Sequence, residues 1–554
     1  MERAIYSDNG VSQVEAFFDS LYSEAKGEAE SGFLDSATDV AKSFLKNQSG
    51  QANMPKAVED VLARMPASDQ HRVLDSVLYG MSVYEREHGC LPTADVMAAA
   101  LQQGLSASHS LDKSGRVLDS VSNTGHHDPI STQPNRIVVA ITSAIAEAIP
   151  FGCYLPTDIN SNEARLGIVS HMAGSTFGDY VLNEIMDGVN VGKQYLGAER
   201  RVSLTLAGDR LSATGGVFTT TGGATTVQVL RGRTIVFVNG FPCAAENPNV
   251  GGAVAASPIS GVATISGVDY TIGGTVTIAT GALALTFSPA LPANTAVEAE
   301  AFIDYEASPL LSPELIAQVQ TFQLFASPWR ARARQSIDSR TQVTNELGLD
   351  LSNETLIAIR NQFAMERHYS GLAKMKALGA NNAQTYNFDV TNQIQQKTRA
   401  QIWQDFQAVL GIVDQKMAED TMDHGITHLY VDKAVAAQLL SLPRELFVPS
   451  GLSARPGIFR LGTLFGRFEV YYTPKCITNS STTSQIICVG RSTQVARCPL
   501  VLGDAVAPTY LPLAFGDDMK YGNAFYARNF TSVNPHVPSA KGAAIINITN
   551  LFSA

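Results

Sequence analysis

Over the first hundred residues, apolar positions recur every three or four places. Val14, Phe17, Phe18, Leu21, Tyr22 and Ala25 share one helical face, and Val40 and Phe44 continue the spacing. It returns at Val58, Val61, Leu62 and Met65, and again at Val73, Leu74, Val77, Leu78 and Met81. Ser12 and Glu15 have the spacing of a capping box, while Gly50, Pro55, Pro66 and Gly89-Cys90-Leu91-Pro92 punctuate the stripes as turns or helix starts. The pattern predicts a helical domain over 1–104. Periodicity then fades across 105–135, a Ser-rich, mostly polar stretch ending in His126-His127-Asp128-Pro129, which reads as an arm or linker. From 136 to 200, apolar runs such as Ile137-Val138-Val139-Ala140-Ile141 alternate with Gly and Pro turns, predicting short strands and an exposed loop near 165–200.

The pattern changes to period two further on. Val227-Gln228-Val229-Leu230 and Thr234-Ile235-Val236-Phe237-Val238 read as strands, the second running into an Asn239-Gly240 turn. Tyr270 to Ile278 and Leu283 to Phe287 alternate in the same way. With four charges (Arg231, Arg233, Glu246, Asp269) in the 87 positions of 211–297, this stretch predicts a compact β-sandwich inserted into another domain. A long helix follows, capped by Ser352, with Leu356, Ile359, Phe363, Met365, Tyr369, Leu372 and Met375 as its apolar positions and Gly379 as its stop. Thr398 to Met422 predicts a second helix, Thr427 to Val431 a strand, and Asp432 caps a helix that ends before Pro443. Phe468 to Tyr472 and Gln485 to Val489 are strands, so the fold class is α+β.

Composition narrows the function classes. The 554 residues are 45% hydrophobic and 16% charged, which suits several buried cores and excludes general disorder. No apolar run is long enough to span a membrane, and the acidic, polar opening Met1-Glu2-Arg3 is unlike a signal sequence, so a soluble cytosolic product is expected. The net charge of −11 argues against a dedicated nucleic-acid binder. Acidity is concentrated: residues 1–104 hold 16 Asp+Glu against 8 Lys+Arg, a net of −8, leaving −3 for the remainder. The six cysteines (Cys90, Cys153, Cys243, Cys476, Cys488, Cys498) include no C-x-x-C pair and are expected to be buried free thiols.

Enzyme motifs fail on their spacing. Gly188-Val189-Asn190-Val191-Gly192-Lys193-Gln194 has one residue too few between its glycines for a P-loop and no hydroxyl after Lys193. His126-His127-Asp128 offers neighbouring ligands without a preorganised third and fourth. Gly174-Ser175-Thr176-Phe177-Gly178 places its serine one position early for a nucleophile elbow. Asp517-Asp518, Asp405 and Asp414 read as solvated carboxylates. No catalytic, metal or cofactor site is expected, and the chain is not read as an enzyme. Arg330, Arg332 and Arg334 recur at every second residue, so a strand would present all three on one face. Such a row needs answering anions. An inter-subunit contact is favoured over a solvated edge, with packaged DNA a weaker reading.

Three passages in order resemble the major capsid proteins of tailed bacteriophages with the HK97-type fold. Arg330 to Asp338, followed by Leu347-Gly348-Leu349-Asp350 and the long helix, resembles that family's strand running into its spine helix. Phe459 to Pro474 is similar to its axial-domain hairpin, and Tyr521 to Phe530 with Asn534-Pro535-His536 to its closing passage. The resemblance covers about 130–554, interrupted by the β insertion. It implies an N-arm or linker at 105–135, a first part of the capsid fold with the E-loop at 136–200, the inserted β-sandwich at 201–306, a peripheral domain with the spine helix at 307–393, an axial domain at 394–515, and a return to the peripheral domain at 516–554. The acidic helices of 1–104 stand outside that pattern and are expected to be retained, packing on the shell or a neighbouring subunit through Phe17, Phe18 and Leu21. The implied function is a major capsid protein that self-assembles into hexamers and pentamers of a virion head, in the host cytoplasm, around double-stranded DNA held by non-specific contact. Portal, scaffold and decoration proteins are the further partners implied. A minor vertex or decoration protein of the same fold, and a carbohydrate- or host-binding phage protein, are the alternatives; the second lacks support because 211–297 holds no Trp and one Tyr, Tyr270.

Overall fold

The computed structural model describes residues 8–27, 33–46, 54–63, 65–108, 129–157, 163–247, 255–348, 351–480, 483–513 and 520–551. Two bodies make up the chain, Met1–Ile168 with Thr321–Ala554, and Val169–Gln320.

In the first body the helical stripes form α1 (Asp8–Gly27), α2 (Phe33–Lys46), α3 (Lys56–Leu62), α4 (Gln70–His88) and α5 (Ala94–Ser108). Their stripe residues Val14, Phe18, Leu21, Val40, Val58, Val61, Leu74 and Leu78 are all buried. Gly89 ends α4 at φ +73°, a left-handed turn that a Cβ would strain, and its N–H bonds the Glu85 carbonyl at 2.7 Å. Helix α1 begins at Asp8, so Ser12 lies inside it and does not cap it. Helix α6 (Pro129–Ala146) corrects the expectation of short strands at Ile137 to Ile141. Ile137, Ile141 and Ile145 are fully buried at four-residue spacing, and burial of that helical face outweighs the strand preference of a β-branched run. Of the 105–135 linker, residues 109–128 lie outside the described residues.

The chain continues through β1 (Cys153–Tyr154) to β2 (Glu163–Ala173), which leads into the second body. There β3 (Glu199–Ser203), β4 (Thr205–Leu206), β5 (Ser212–Gly216), β6 (Ile235–Val238), β7 (Phe241–Glu246), β8 (Ala256–Ile265), β9 (Val268–Thr277), β10 (Ala282–Ser288) and β11 (Val297–Phe302) form one sheet, in the order β3-β11-β6-β7-β8-β9-β10-β5-β4. The stacked pair of sheets expected for a sandwich is instead a single hydrogen-bonded sheet of nine strands. Every pairing within it is antiparallel. Alternate residues such as Val236, Val238, Ile272, Val276, Leu283 and Leu285 are buried in its own core. No α-helix among the described residues of this body covers that face, so the sheet and its loops cover it themselves. Asn239 and Gly240 turn β6 into β7 with φ +53° and +83°, as the sequence predicts. Val227 to Leu230 forms no strand; Val229 makes one isolated bridge to Ile303.

The chain returns along β12 (Leu315–Phe325), which pairs with β2, and enters β13 (Ser327–Ser336), α7 (Ile337–Leu347) and α8 (Leu351–Gly379). The long helix thus starts one residue before Ser352 and ends at Gly379. Next come β14 (Ala383–Asn387), α9 (Arg399–Thr421), β15 (Ile426–Val431), α10 (Lys433–Leu440), β16 (Phe447–Pro449), β17 (Phe459–Leu464), β18 (Phe468–Tyr472), β19 (Thr483–Gly490), β20 (Leu500–Leu513), β21 (Lys520–Val533) and β22 (Ala543–Thr549). They build a seven-stranded mixed sheet, β14-β22-β19-β15-β18-β17-β16, and a four-stranded sheet, β1-β20-β21-β13. Thr398 and Gln401 close a capping box on α9, and the Asp432 side chain accepts from the Val435 N–H at the start of α10. Helices α9 and α10 bury Trp403, Phe406, Leu410, Val413, Val435 and Leu439 against the seven-stranded sheet.

One continuous core joins the N-terminal helices to the rest of this body. Val14, Phe18, Leu74 and Leu78 belong to the same buried cluster as Leu372 and Met375 of α8, Tyr430, Tyr471 and Leu502. Cys153 and Cys498, both buried, are disulfide-bonded across 345 residues, and Cys90 is exposed. The uniform set of buried free thiols expected from sequence is therefore corrected, with Cys488 the buried free thiol among the described residues.

Candidate assembly surfaces

Strand β13 is the last in its sheet and pairs along one side with β21. Residues directly opposite one another in an antiparallel pair share a face. On one face Trp329, Phe525 and Ala527 pack on Phe363 of α8, the Trp329 and Phe363 rings meeting at 5.2 Å. The other face carries Arg330, Arg332 and Arg334, opposite Tyr526, Ala524 and Gly522. All three arginines are exposed, as a period-two row should be when the alternate positions face inward. The Arg330 guanidinium stands 5.8 Å from the Tyr526 ring centre. Register adds two cations that sequence spacing alone did not find, Arg528 opposite Pro328 and Lys520 opposite Ser336. Parity along Tyr521 to Phe530 held that signal, but only the pairing aligns it with the arginine row.

The inward face is fixed by a buried ion pair. Arg367 of α8 lies 2.9 Å from Asp504 of β20, and Gln103 of α5 donates to the same carboxylate at 2.8 Å. Burial opposes the Arg367 charge, but the Asp504 carboxylate, together with Tyr154 and Glu147, outweighs it and holds the guanidinium pKa above its ordinary value. Close by, Arg360 contacts Glu147 at 2.6 Å, although desolvation still raises the Glu147 pKa. Arg491 reaches Asp95 at 2.7 Å, both largely buried. Helix α5 is thereby tied to β20 and to the segment after β19.

The Phe17, Phe18 and Leu21 stripe is used differently from the expectation. Phe18 and Leu21 are buried in the chain's own core, and Phe17 makes edge contacts with Phe18 and Phe44. That face is satisfied within the chain, so it is not available to a neighbouring subunit; amphipathicity alone cannot tell an internal partner from an external one.

In the second body the segment between β2 and β3 is irregular but internally bonded. Lys193 pairs with Glu184 at 2.6 Å, His171 with Asp187 at 2.9 Å, and Asn190 donates to the Ile185 carbonyl. On this frame Val181, Leu182, Val189, Val191 and Leu196 are exposed by 51–69%. Leu315, Ile316 and Val319 of β12 are exposed as well.

Among the described residues, the side chains of the rejected enzyme motifs are engaged within the chain. Lys193 is neutralised by Glu184, the Ser175 hydroxyl lies 3.2 Å from the Tyr195 hydroxyl, and Asp405 pairs with Lys397; Asp414, expected to be solvated, is instead buried, pairs with Arg467 and accepts from the Ile426 N–H at 2.6 Å. His126-His127-Asp128 and Asp517-Asp518 lie outside the described residues. Among the described residues no cluster of three His, Cys, Asp or Glu could hold a metal, and no helix is long and apolar enough to cross a membrane.

No protein-family model matches the chain, and no curated protein matches it in sequence. Among solved structures it is similar to the capsid of the jumbo bacteriophage PhiKZ, with a TM-score of 0.36 and 10% identity over 79% of this chain and 95% of that one. It is also similar to the capsid of Myoviridae phage XM1, with a TM-score of 0.28 and 9% identity over 55% and 88%. An encapsulin complex from Synechococcus elongatus matches with a TM-score of 0.26 and 11% identity over 44% and 79%. The structural neighbours of this α+β chain thus include phage capsid proteins.

Proposed function

We propose that the chain is the major capsid subunit of a tailed bacteriophage, self-assembling into the hexamers and pentamers of an icosahedral head that encloses double-stranded DNA. The observation that carries this reading is the exposed apolar surface. Five large aliphatic side chains within residues 181–196, and three more on β12, stand in water on an isolated copy. Self-association removes such surface from water, and closed rings do so for every copy through repeated contacts. The three ordered sequence passages support the same reading, since the arginine strand is followed by α7 and then the long helix, and Phe459 to Tyr472 is a hairpin.

In this reading β2 of the 136–200 segment serves as the E-loop with β12 joined to it, β13, β20, β21 and α8 as the peripheral domain, the seven-stranded sheet as the axial domain, and the second body as an inserted surface domain. That assignment follows the sheet pairings, and it moves β14 and β22 out of the expected peripheral segments and β20 out of the expected axial one. The N-terminal helices remain part of the mature subunit, because their core is shared with α8 and β20. Portal, scaffold and decoration proteins are its further partners, DNA is held without sequence preference, and no catalytic step is assigned. Electron microscopy of the concentrated protein should reveal rings or closed shells built from intact 59.1 kDa subunits. A protein that stays a monomer under all assembly conditions overturns the reading; particles whose subunits lack the first hundred residues by mass overturn the retention of the helices.

A further inference from the structure

The face formed by Arg330, Arg332, Arg334, Arg528 and Lys520 is unusual in a chain of net charge −11. No carboxylate of β13, β20 or β21 shares it: Asp504 pairs with Asn529, whose register places it on the inward face. Successive arginines in the row stand about 6.7 Å apart along the strand. Arg334 and Lys520 have partners within the chain, whereas no ion pair answers Arg330 or Arg332 among the described residues, and like charges at that spacing repel until anions relieve them. The Arg528 Nε is itself buried without a hydrogen-bond partner.

We infer that the Arg330 and Arg332 part of this cationic face docks on the acidic N-terminal helices of a second copy of the chain. The inference rests on the shell reading. Its geometry excludes the helices of the same copy, which are tied to the opposite side of the sheet. Gln103 of α5 bonds Asp504 on the inward face, and Asp95 at the start of α5 is held by Arg491. A second copy supplies the complement. Residues 1–104 carry a net −8, and Asp35 and Asp39 of α2 are exposed and make no ion pair among the described residues. Four residues of helix advance about 6 Å. Two carboxylates one turn apart therefore match the pitch of two guanidinium groups on the strand, an arrangement suited to paired charge-assisted bonds. A nucleic acid fits the cations but meets the repulsive field of the rest of the chain, so the acidic helices are the favoured partner.

The test compares the full chain with Arg330→Glu/Arg332→Glu, with Asp35→Lys/Asp39→Lys, and with the chain carrying all four reversals, by sedimentation and electron microscopy. Each double reversal is expected to raise the subunit concentration needed for assembly about tenfold or more, and the fourfold reversal to restore it to within about threefold. Assembly of the unaltered chain should weaken as salt rises from about 0.1 M to about 0.5 M. All side chains changed are exposed, and matched thermal melts establish that each variant is folded. If the arginine reversal assembles like the unaltered chain, the inference fails while the shell reading stands; if the fourfold reversal is not rescued, the acidic helices are not the partner. Loss of binding to a short DNA duplex by the arginine variant, with assembly intact, assigns the face to nucleic acid instead and overturns the inference. If the unaltered chain never assembles, the shell reading fails and takes this one with it.

Discussion

Three imidazoles meet where the N-terminal helices, the long helix and the seven-stranded sheet share their core. His88 of α4 lies 3.0 Å from the Tyr471 hydroxyl, His368 of α8 lies 3.0 Å from the Tyr430 hydroxyl, and His428 of β15 faces the Tyr471 ring. Tyr430 and Tyr471 stack at 5.3 Å between them. Desolvation pushes His88 down to about 4 and His368 and His428 down to about 3. A depressed folded-state value means that the unfolded chain, titrating near 6.5, binds protons first as pH falls. Stability is therefore complete above about pH 6.5 and declines toward pH 4, by about 1.4 kcal/mol per histidine per pH unit where only the unfolded form titrates. Glu147, with its raised pKa, works in the opposite direction, so the informative quantity is a difference. Denaturant unfolding at pH 7 and pH 5 should show a smaller pH dependence for His368→Gln/His428→Gln than for the unaltered chain. Equal slopes in the two proteins would count against neutral, shielded imidazoles.

At the scale of elements, local chemistry was legible wherever an end or a turn carried its own signal. Thr398 and Gln401 satisfy each other's backbone N–H groups at the start of α9, so Thr398→Ala should lower stability by about 1 kcal/mol, read as a shift in the denaturant midpoint with an unchanged slope. A shift within error would mean that α9 is held by Trp403 and Phe406 alone. The Asn239-Gly240 hairpin and the helix stop at Gly379 were equally readable. Ile137 to Ile141 was not, because a β-branched run suits a strand and a buried helix alike, and only the four-residue spacing of buried Ile137, Ile141 and Ile145 separates them. Ser12 failed for a related reason: a capping pattern lying inside a longer helix is indistinguishable in sequence from one at its start.

At the scale of the molecule, the Val169–Gln320 body has its own core, drawn from Ala173 to Ile303. Replacing 169–320 with a short Gly/Ser bridge should leave the remaining body soluble and cooperatively folded, because none of its core residues is removed. Circular dichroism and a thermal melt of the deletion protein check this, and loss of the cooperative transition would show that the two bodies fold only together. The N-terminal helices are the contrasting case. Their stripes Val14, Phe18 and Leu21 sit in the core that also holds Leu372 and Leu502.

The sequence by itself determined the α+β class, most helices and strands, the turn residues, the concentration of acid before residue 105, and the single face of Arg330, Arg332 and Arg334. Each of these depends on neighbours a few positions away, where period, capping and turn geometry are encoded directly. Tertiary structure decided what each face touches. It buried Phe18 and Leu21 inside the chain, paired Cys153 with Cys498, joined nine strands into one sheet, and brought Arg528 and Lys520 beside the arginine row. Those outcomes depend on register and contact between segments far apart in the chain, and period-two or helical patterning fixes which way a side chain points without fixing what stands opposite it.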